Sequence, residues 1–291
     1  MTQAKSATSA PFDRTLLRWR RSRAAKGLAD HDFLLRETGG RLLERIVDQQ
    51  REFSLALNLG CHCGELVTLL PAYPGHGIRE FIQCDLAPTM AAAASGPCIC
   101  ADEEALPFAA QSFDLVMSVL SLHAVNDLPG SLVQIRRALR PDGLFLGALF
   151  GGDTLHELRY CLAQAEMACE DGLSPRIAPM VDVRDAGALL QRAGFARPVA
   201  DVDTITVSYR DPMALMRELR GMGESNILHA RRRRFLRRAT LAAAAKLYHE
   251  KFSDPDGRVR ATFQIINLTG WAPAQQPHVA PDTPTRRVIA P

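Results

Sequence analysis

Short apolar runs that alternate with segments of helical pattern constrain this sequence most. Five such runs occupy residues 54–60, 80–85, 97–102, 112–120 and 143–150. They are too short for buried helices, and their alternation with helices is typical of a mostly parallel α/β sheet. Two later runs, over 200–209 and 261–271, bring the predicted strands to seven. We therefore predict a doubly wound, Rossmann-like sheet of seven strands with helices on both faces.

The predicted strands divide the chain into five parts. Residues 1–50, with apolar side chains at helical spacing, are predicted to form an N-terminal helical cap. Residues 51–210 form the predicted core. Residues 211–258 contain two helical segments, a predicted helical lid inserted before the last core strand at 259–272. Residues 273–291 carry five prolines and are predicted to be a disordered tail.

Length and composition exclude several classes of protein. A chain of 291 residues can bury a sizeable core, and 47% hydrophobic with 23% charged residues is ordinary for a globular protein. No stretch reaches the roughly 20 apolar residues that a membrane-spanning helix needs. Seven cysteines, an odd number, favour reduced thiols and a bacterial cytoplasm. Residues 14–26 are rich in arginine, as mitochondrial presequences are, but the nearby acids Asp13, Asp30 and Asp32 argue against one. A mitochondrial matrix protein without its presequence is the alternative.

Acidic residues follow the predicted strands where an open α/β sheet binds its ligands. The first strand ends in a glycine-containing turn, NLGCHCG at 58–64, after which a helix can direct backbone N–H groups at a ligand. Asp85 ends the second strand, where a carboxylate can accept from both hydroxyls of a ribose. Asp102 and Glu103 end the third strand, where an acid can accept from an adenine amino group. Taken alone, each acid could equally be a helix cap or a turn residue and not a cofactor ligand. Their order favours a cofactor crevice.

These features resemble the class I S-adenosylmethionine-dependent methyltransferases over roughly residues 50–150. Six shorter runs resemble the assembly factor 5 family of respiratory complex I and its alphaproteobacterial relatives. They are FDR at 12–14, ADEE at 101–104, LSLH at 120–123, VNDLP at 125–129, GGDTL at 151–155 and GMGESN at 221–226. The runs span almost the whole chain. A more distant resemblance is to malonyl-carrier-protein O-methyltransferases.

The resemblance implies a class I methyltransferase fold, with S-adenosyl-L-methionine as cofactor, and hydroxylation of an arginine in a quinone-module subunit of complex I. The cofactor-binding residues that it implies are Asn58, Gly60, Gly64, Asp85, Leu86, Asp102 and Glu103. His123 and Asp153 are implied as catalytic residues that face the substrate. A methyltransferase acting on a carrier-bound or small carboxylic acid is the alternative, and a non-catalytic assembly chaperone is a second.

Two residues depart from the superfamily turn, which reads acid-X-Gly-X-Gly-X-Gly. Asn58 replaces the acid and brings no charge to a cationic sulfonium ligand. His62 replaces the middle glycine and puts a side chain where the backbone normally approaches the ligand. We therefore expect S-adenosylmethionine to bind weakly or in an altered pose.

Two sets of side chains have the chemistry of metal ligands. Cysteines 61, 63, 84, 98 and 100 lie near the ends of the first three strands beside His62, but buried free thiols are the plainer interpretation. His123, Asp153 and His156 form a two-histidine, one-carboxylate set of the kind that holds non-haem iron. Three such residues near one crevice also occur by chance, so no metal is predicted.

The predicted lid carries six arginines within HARRRRFLRR at 229–238. A solvated basic face is the plain interpretation. The functional interpretation is that Arg231–Arg238 bind an acidic partner or an anionic membrane surface. We therefore expect a cytoplasmic or matrix protein that binds peripherally at the inner membrane. Nucleic acid is not expected, because aromatics are only 6% and no nucleic-acid fold accompanies the patch. The loop at 221–226 is predicted to face the substrate, with a helix-ending turn as the alternative.

Overall fold

A computed structural model describes residues 10–170 and 172–274, which contain a seven-stranded sheet. The strands are β1 (Phe53–Leu59), β2 (Ile78–Asp85), β3 (Cys98–Cys100), β4 (Phe113–Val119), β5 (Leu139–Phe150), β6 (Ala196–Tyr209) and β7 (Val259–Trp271). Their order is β3-β2-β1-β4-β5-β7-β6. The first five strands are parallel, and β7 runs antiparallel between β5 and β6. The predicted fold class is confirmed.

Helices cover both faces of the sheet. They are α1 (Arg14–Ala24), α2 (Phe33–Val47), α3 (Glu65–Leu69), α4 (Pro88–Ala93), α5 (Leu128–Ala138), α6 (His156–Cys169), α7 (Val183–Arg192), α8 (Pro212–Gly221) and α9 (Arg238–Phe252). Successive residues of β1 enter different cores, since strand side chains alternate in direction. Ala56 packs in the cluster shared with α2, α6, α8 and α9, and Leu57 packs in the cluster shared with α5 and α7.

The N-terminal segment is joined to the lid. Phe12 forms a β-bridge with Leu228, and the backbone N–H of Asp13 donates to the carbonyl of Ile227 at 2.8 Å. The Asp13 carboxylate then begins α1 by accepting from the N–H of Leu16 at 3.0 Å, which satisfies a free helix-end donor. The predicted cap and lid are therefore in contact at the carboxyl edge of the sheet.

The remaining predictions on domain organisation concern the ends of the chain. Of the predicted disordered tail, the structure describes residues 273 and 274, and residues 275–291 lie outside the described ranges. Within 10–170 and 172–274, no helix is both long and apolar enough to cross a bilayer.

Candidate active site

Two fully buried carboxylates at the carboxyl edge of the sheet share one buried arginine. Asp85 ends β2 and Glu103 follows β3, and Arg21 of α1 lies between them. Its Nη1 is 3.2 Å from Glu103 Oε1 and 3.7 Å from Asp85 Oδ2, while its Nη2 donates to Ser121 Oγ at 3.1 Å. The two acids assigned to a cofactor are thus paired with a cation of the same chain.

Arg14, two helical turns before Arg21, extends this pairing to Asp102. Its Nη2 donates to Asp102 Oδ1 at 2.6 Å and also to Glu103, and its Nη1 donates to the carbonyl of Ala124 at 3.1 Å. Residues seven apart lie on one face of a helix, so α1 presents both guanidinium groups to the same edge. Sequence reasoning missed both roles; the seven-residue spacing within the arginine-rich segment was the available signal.

The two arginines control the ionisation of the buried acids. Burial raises the pKa of Glu103, but Arg21 and Arg14 outweigh burial and hold that pKa below its usual range. Burial also raises the pKa of Asp85, which has only one of the two arginines nearby. The Asp85 carboxylate instead accepts from the backbone N–H groups of His62 and Ala87, at 3.0 and 2.7 Å. Glu103 is therefore the more firmly ionised of the two.

The turn after β1 is packed against neighbouring side chains. Gly60 has a φ of +68°, and a Cβ there would lie 2.1 Å from Ser121 Oγ. Gly64 has a φ of +90° and begins α3. Asn58 is buried and donates from Nδ2 to Gln83 Oε1 at 3.3 Å. Both glycines thus have a backbone or packing requirement that does not involve a ligand.

His62 fills the centre of this turn. It adopts a left-handed φ of +50°, its ring is buried, and Nε2 donates to the carbonyl of Val119 at 3.2 Å. Burial, reinforced by the charge of Arg21, lowers the pKa of His62 to about 4. The imidazole is therefore neutral near pH 7.

The crevice in this conformation does not fit S-adenosylmethionine. The void beside Asn58, Gly60 and His62 has about 10 Å³, too little for a nucleoside. Of the three acids assigned to the cofactor, only Asp102 has solvent access, with 33% of its side chain exposed. The other predicted contact, Leu86, is buried in an apolar cluster with Phe12 and Leu17 of the cap. A nucleoside would reach Asp85 only after Arg21 withdrew.

A larger cavity, of about 180 Å³, lies between the lid and the ends of β4 and β5. We call it the pocket. Its walls are mostly apolar and include Phe150, Leu158 and Phe263. His123, which follows β4, lines it; the ring lies 4.6 Å from that of Phe150, and Nε2 donates to Glu224 Oε2 at 3.1 Å.

Glu224 is the one carboxylate among the described residues that line the pocket. Burial raises its pKa, but His123 and Arg21 outweigh burial and lower that pKa below its usual value. The pocket thus holds one ionised carboxylate together with two guanidinium groups, those of Arg220 and of Arg176, which is paired with Glu166. Between the apolar walls, the carboxylate is the group that suits a cationic substrate with several N–H donors. The sequence pointed to the loop at 221–226 as substrate-facing, and the structure shows that this residue of the loop enters the pocket.

Asp153, which is predicted to face the substrate, is not among the residues that line the pocket. Its side chain is exposed, and Oδ2 accepts from Gln264 Nε2 at 2.9 Å, so it is turned toward β7. Thr154 and Leu155 line the pocket in its place. His156 is exposed as well. Across residues 10–170 and 172–274, no group of three or more His, Cys, Asp or Glu side chains is placed to hold a metal.

The arginine-rich segment 231–238 is partly neutralised within the chain. Arg231 lies 3.3 Å from Asp13, and both Arg232 and Arg237 pair with Glu170. The other three arginines, at 233, 234 and 238, form no ion pair with any described residue. Three of the six arginines therefore form ion pairs that connect the lid with the cap and with the end of α6.

Comparisons with known proteins agree with this architecture. A family model described as "Methyltransferase domain" matches residues 57–147. The solved structure of the YcgJ protein from Bacillus subtilis superposes with a TM-score of 0.54 at 14% identity, covering 80% of this chain and 98% of that one. With the strand order above, these matches define a class I methyltransferase fold, the superfamily whose enzymes use S-adenosylmethionine.

Two curated relatives cover most of the chain. A Danio rerio protein named arginine-hydroxylase NDUFAF5, mitochondrial, is 40% identical over 288 residues, which are 95% of this chain and 86% of the relative. A Halorhodospira halophila protein named malonyl-(acyl-carrier protein) O-methyltransferase is 36% identical over 259 residues, 86% of this chain and 85% of the relative. The chain belongs to the NDUFAF5 arginine-hydroxylase family and is an enzyme of the class I methyltransferase superfamily, which confirms the family predicted from the sequence.

Proposed function

We propose that this chain hydroxylates an arginine side chain of a quinone-module subunit during assembly of respiratory complex I. The observation that carries the proposal is 40% identity to an arginine hydroxylase over nearly the whole length of the chain. The pocket supports it chemically, because its single described carboxylate is ionised and lies among apolar walls, and one of the two arginines that also line the pocket, Arg176, is already paired with Glu166. A guanidinium group on an apolar stem matches both features.

In this proposal Glu224 binds the substrate guanidinium and His123 positions Glu224. Hydrogen bonds to a charged group contribute about 1.5–3 kcal/mol each, so paired N–H donors fix the arginine firmly. His123 Nδ1 is buried without a partner among the described residues, which leaves it able to accept a hydrogen bond from the substrate. Phe150 and Leu158 enclose the methylene stem and exclude water.

Peptide mass spectrometry of the quinone-module subunits from wild-type and gene-deletion cells tests this function. We expect an arginine peptide to lose one oxygen atom in the deletion strain and to regain it on complementation with the wild-type gene. Loss of a methylene unit instead would show methyl transfer. An unchanged peptide would contradict the proposal.

A carboxylate O-methyltransferase is a second candidate, favoured by the 36% identity to the carrier-protein methyltransferase. Arg176 and Arg220 also line the pocket and could pair with a substrate carboxylate. Incubation of the purified chain with S-adenosylmethionine and a malonylated carrier protein separates the two functions. The hydroxylase proposal predicts no methyl ester, and an ester formed with rapid turnover would favour the second candidate.

We also propose that S-adenosylmethionine binds this chain weakly. Three features support this. Asn58 is uncharged, the ring of His62 fills the turn, and Arg21 forms ion pairs with Asp85 and Glu103, two of the acids assigned to the cofactor. Calorimetry tests it, with His62→Gly combined with Asn58→Asp as the comparison. Tight binding by the wild type that the double variant does not improve would contradict the proposal.

We propose further that the protein works at the face of the inner membrane where complex I is assembled, bound peripherally. The Danio rerio relative is named as mitochondrial. Arginines 233, 234 and 238 are available to an anionic membrane surface or an acidic partner. Membrane fractionation of host cells should release the protein with high salt, because charge contacts are screened. Retention on membranes until detergent is added would contradict peripheral binding.

A further inference from the structure

A groove beside the pocket is lined by cations. It has about 790 Å³ and lies between α1, the turn that follows it, and α8. Its cationic lining consists of Arg20, Arg23, Arg217 and Arg220, with His31 at the same surface. None of the described residues that line it is acidic. We call this surface the arginine groove.

The arginine groove and the pocket share a wall. Arg220 and Ser225 line both, and Glu224 lies between them in the sequence. Arg20 fixes the wall by donating to the carbonyl of Asn226. A chain segment lying in the groove would therefore pass the carboxylate of the pocket.

The chain itself balances the charge of the groove only in part. Arg217 lies 4.0 Å from Asp211 and His31 lies 2.7 Å from Glu218, whereas Arg220 forms no ion pair with any described residue. Burial and the nearby charges of Arg231 and Arg220 lower the pKa of Arg20 by more than Asp13 raises it. Arg23 is exposed, lies 5.7 Å above the Trp19 ring and forms no ion pair with any described residue. Like charges held together in this way favour an anionic occupant.

Exposed aromatic side chains border these cations. Trp19 is 56% exposed and Phe235 is 99% exposed, and both line the groove. Tryptophan, phenylalanine and arginine are residues enriched at the centres of protein interfaces. Cations spread over α1 and α8 together with bordering aromatics match an extended polypeptide better than a single small anion.

We propose that the arginine groove binds the substrate polypeptide through acidic side chains that flank the target arginine, while that arginine enters the pocket at Glu224. This inference rests on the proposed function and adds to it a sequence requirement for the substrate. Each extended residue advances the chain by about 3.3 Å, so acids within a few residues of the arginine would reach the groove.

Fluorescence anisotropy with short labelled peptides tests the inference on the full chain. One peptide carries an arginine flanked by aspartates, and its companion carries asparagines instead. At low salt we expect the aspartate peptide to bind at least about tenfold more tightly than the asparagine peptide. This difference in affinity should become smaller as salt is added. Arg23→Glu combined with Arg217→Glu should abolish this preference and favour a lysine-flanked peptide. Both side chains are exposed, so the variant should fold normally.

Arg192→Glu is the matched control, because this arginine is exposed on α7 and has no ion pair among the described residues. It should leave the preference unchanged. Equal binding of the two peptides, or equal effects of the control and the groove variant, would overturn the inference. Binding does not require turnover. Charge-selective binding with an unmodified complex I arginine in cells would therefore contradict only the proposed function and leave the groove as a docking surface.

Discussion

At the scale of single residues, Glu224 provides the one negative charge among the described residues that line the pocket, beside the guanidinium groups of Arg176 and Arg220. Glu224→Gln keeps the shape of the side chain but removes that charge. We expect the affinity for an arginine peptide to fall about 10–100-fold, the equivalent of roughly 1.5–3 kcal/mol for a charge-assisted hydrogen bond. Anisotropy titration measures this, and Glu250→Gln on the exposed face of α9 is the control. A Glu224→Gln protein that binds as the wild type does would remove Glu224 from the substrate site.

His62 makes the stability of the fold depend on pH. Burial lowers its pKa from 6.5 to about 4, so between these values the unfolded chain binds more protons than the folded one. The contribution of His62 to stability therefore falls as the pH is lowered through this range, by roughly 2 kcal/mol between pH 7 and pH 5. Urea unfolding at both pH values should show that the stability of the wild type relative to His62→Asn, whose side chain tolerates a left-handed backbone, falls by this amount from pH 7 to pH 5.

Glu65 changes the folding stability with pH in the opposite direction to His62. The comparison with His62→Asn is needed to separate the two contributions. Burial raises its pKa to about 7, so the folded chain holds a proton that the unfolded chain releases between pH 4.5 and pH 7. Its contribution is present in both proteins and cancels in the comparison. An equal pH dependence in the wild type and His62→Asn would show that His62 does not titrate as its burial indicates.

At the scale of elements, the sequence predicts strands well and the contacts between distant segments poorly. Five apolar runs identified β1 to β5 because each ends at a glycine, an acid or a polar turn. The short α4 carries no amphipathic pattern and was not predicted. The pairing of Arg21 with Glu103 spans 82 positions, and no local pattern encodes it. The pairing of Asp153 with Gln264, 111 positions away, is likewise not encoded by a local pattern.

Helix α1 stabilises the fold through its buried arginine. Arg21→Ala would leave Glu103 and Asp85 buried with less counter-charge, and removing one partner of a buried ion pair costs about 3–5 kcal/mol. Urea unfolding should show a loss of this size. Arg18→Ala, at an exposed position of the same helix, should change the midpoint little. Equal midpoints for the two variants would mean that α1 is not docked on the acids in solution.

At the scale of the whole molecule, α1 links the two halves of the site. The two residues before it, Phe12 and Asp13, pair with the lid beside the pocket, and its arginines form ion pairs with the acids of the crevice. The doubly wound sheet could be expected from the sequence because it follows from the alternation of strands with helices and from the family resemblance. The contact of α1 with both the crevice and the lid could not be predicted from the sequence, since it depends on where an N-terminal helix packs on the fold. A ligand that displaces α1 from the crevice would thus also loosen the wall of the pocket.

This link predicts that S-adenosylmethionine and docked α1 exclude each other. Hydrogen exchange followed by mass spectrometry should show faster exchange of the Arg14–Ala24 amides when saturating S-adenosylmethionine is added. Coupling is reciprocal, so Arg14→Ala, which weakens docking without removing the buried Arg21, should bind the cofactor more tightly than the wild type in calorimetry. Arg18→Ala should bind it as the wild type does. Cofactor bound with unchanged protection of α1 would show that the crevice opens by another route and that Arg21 stays with its acids.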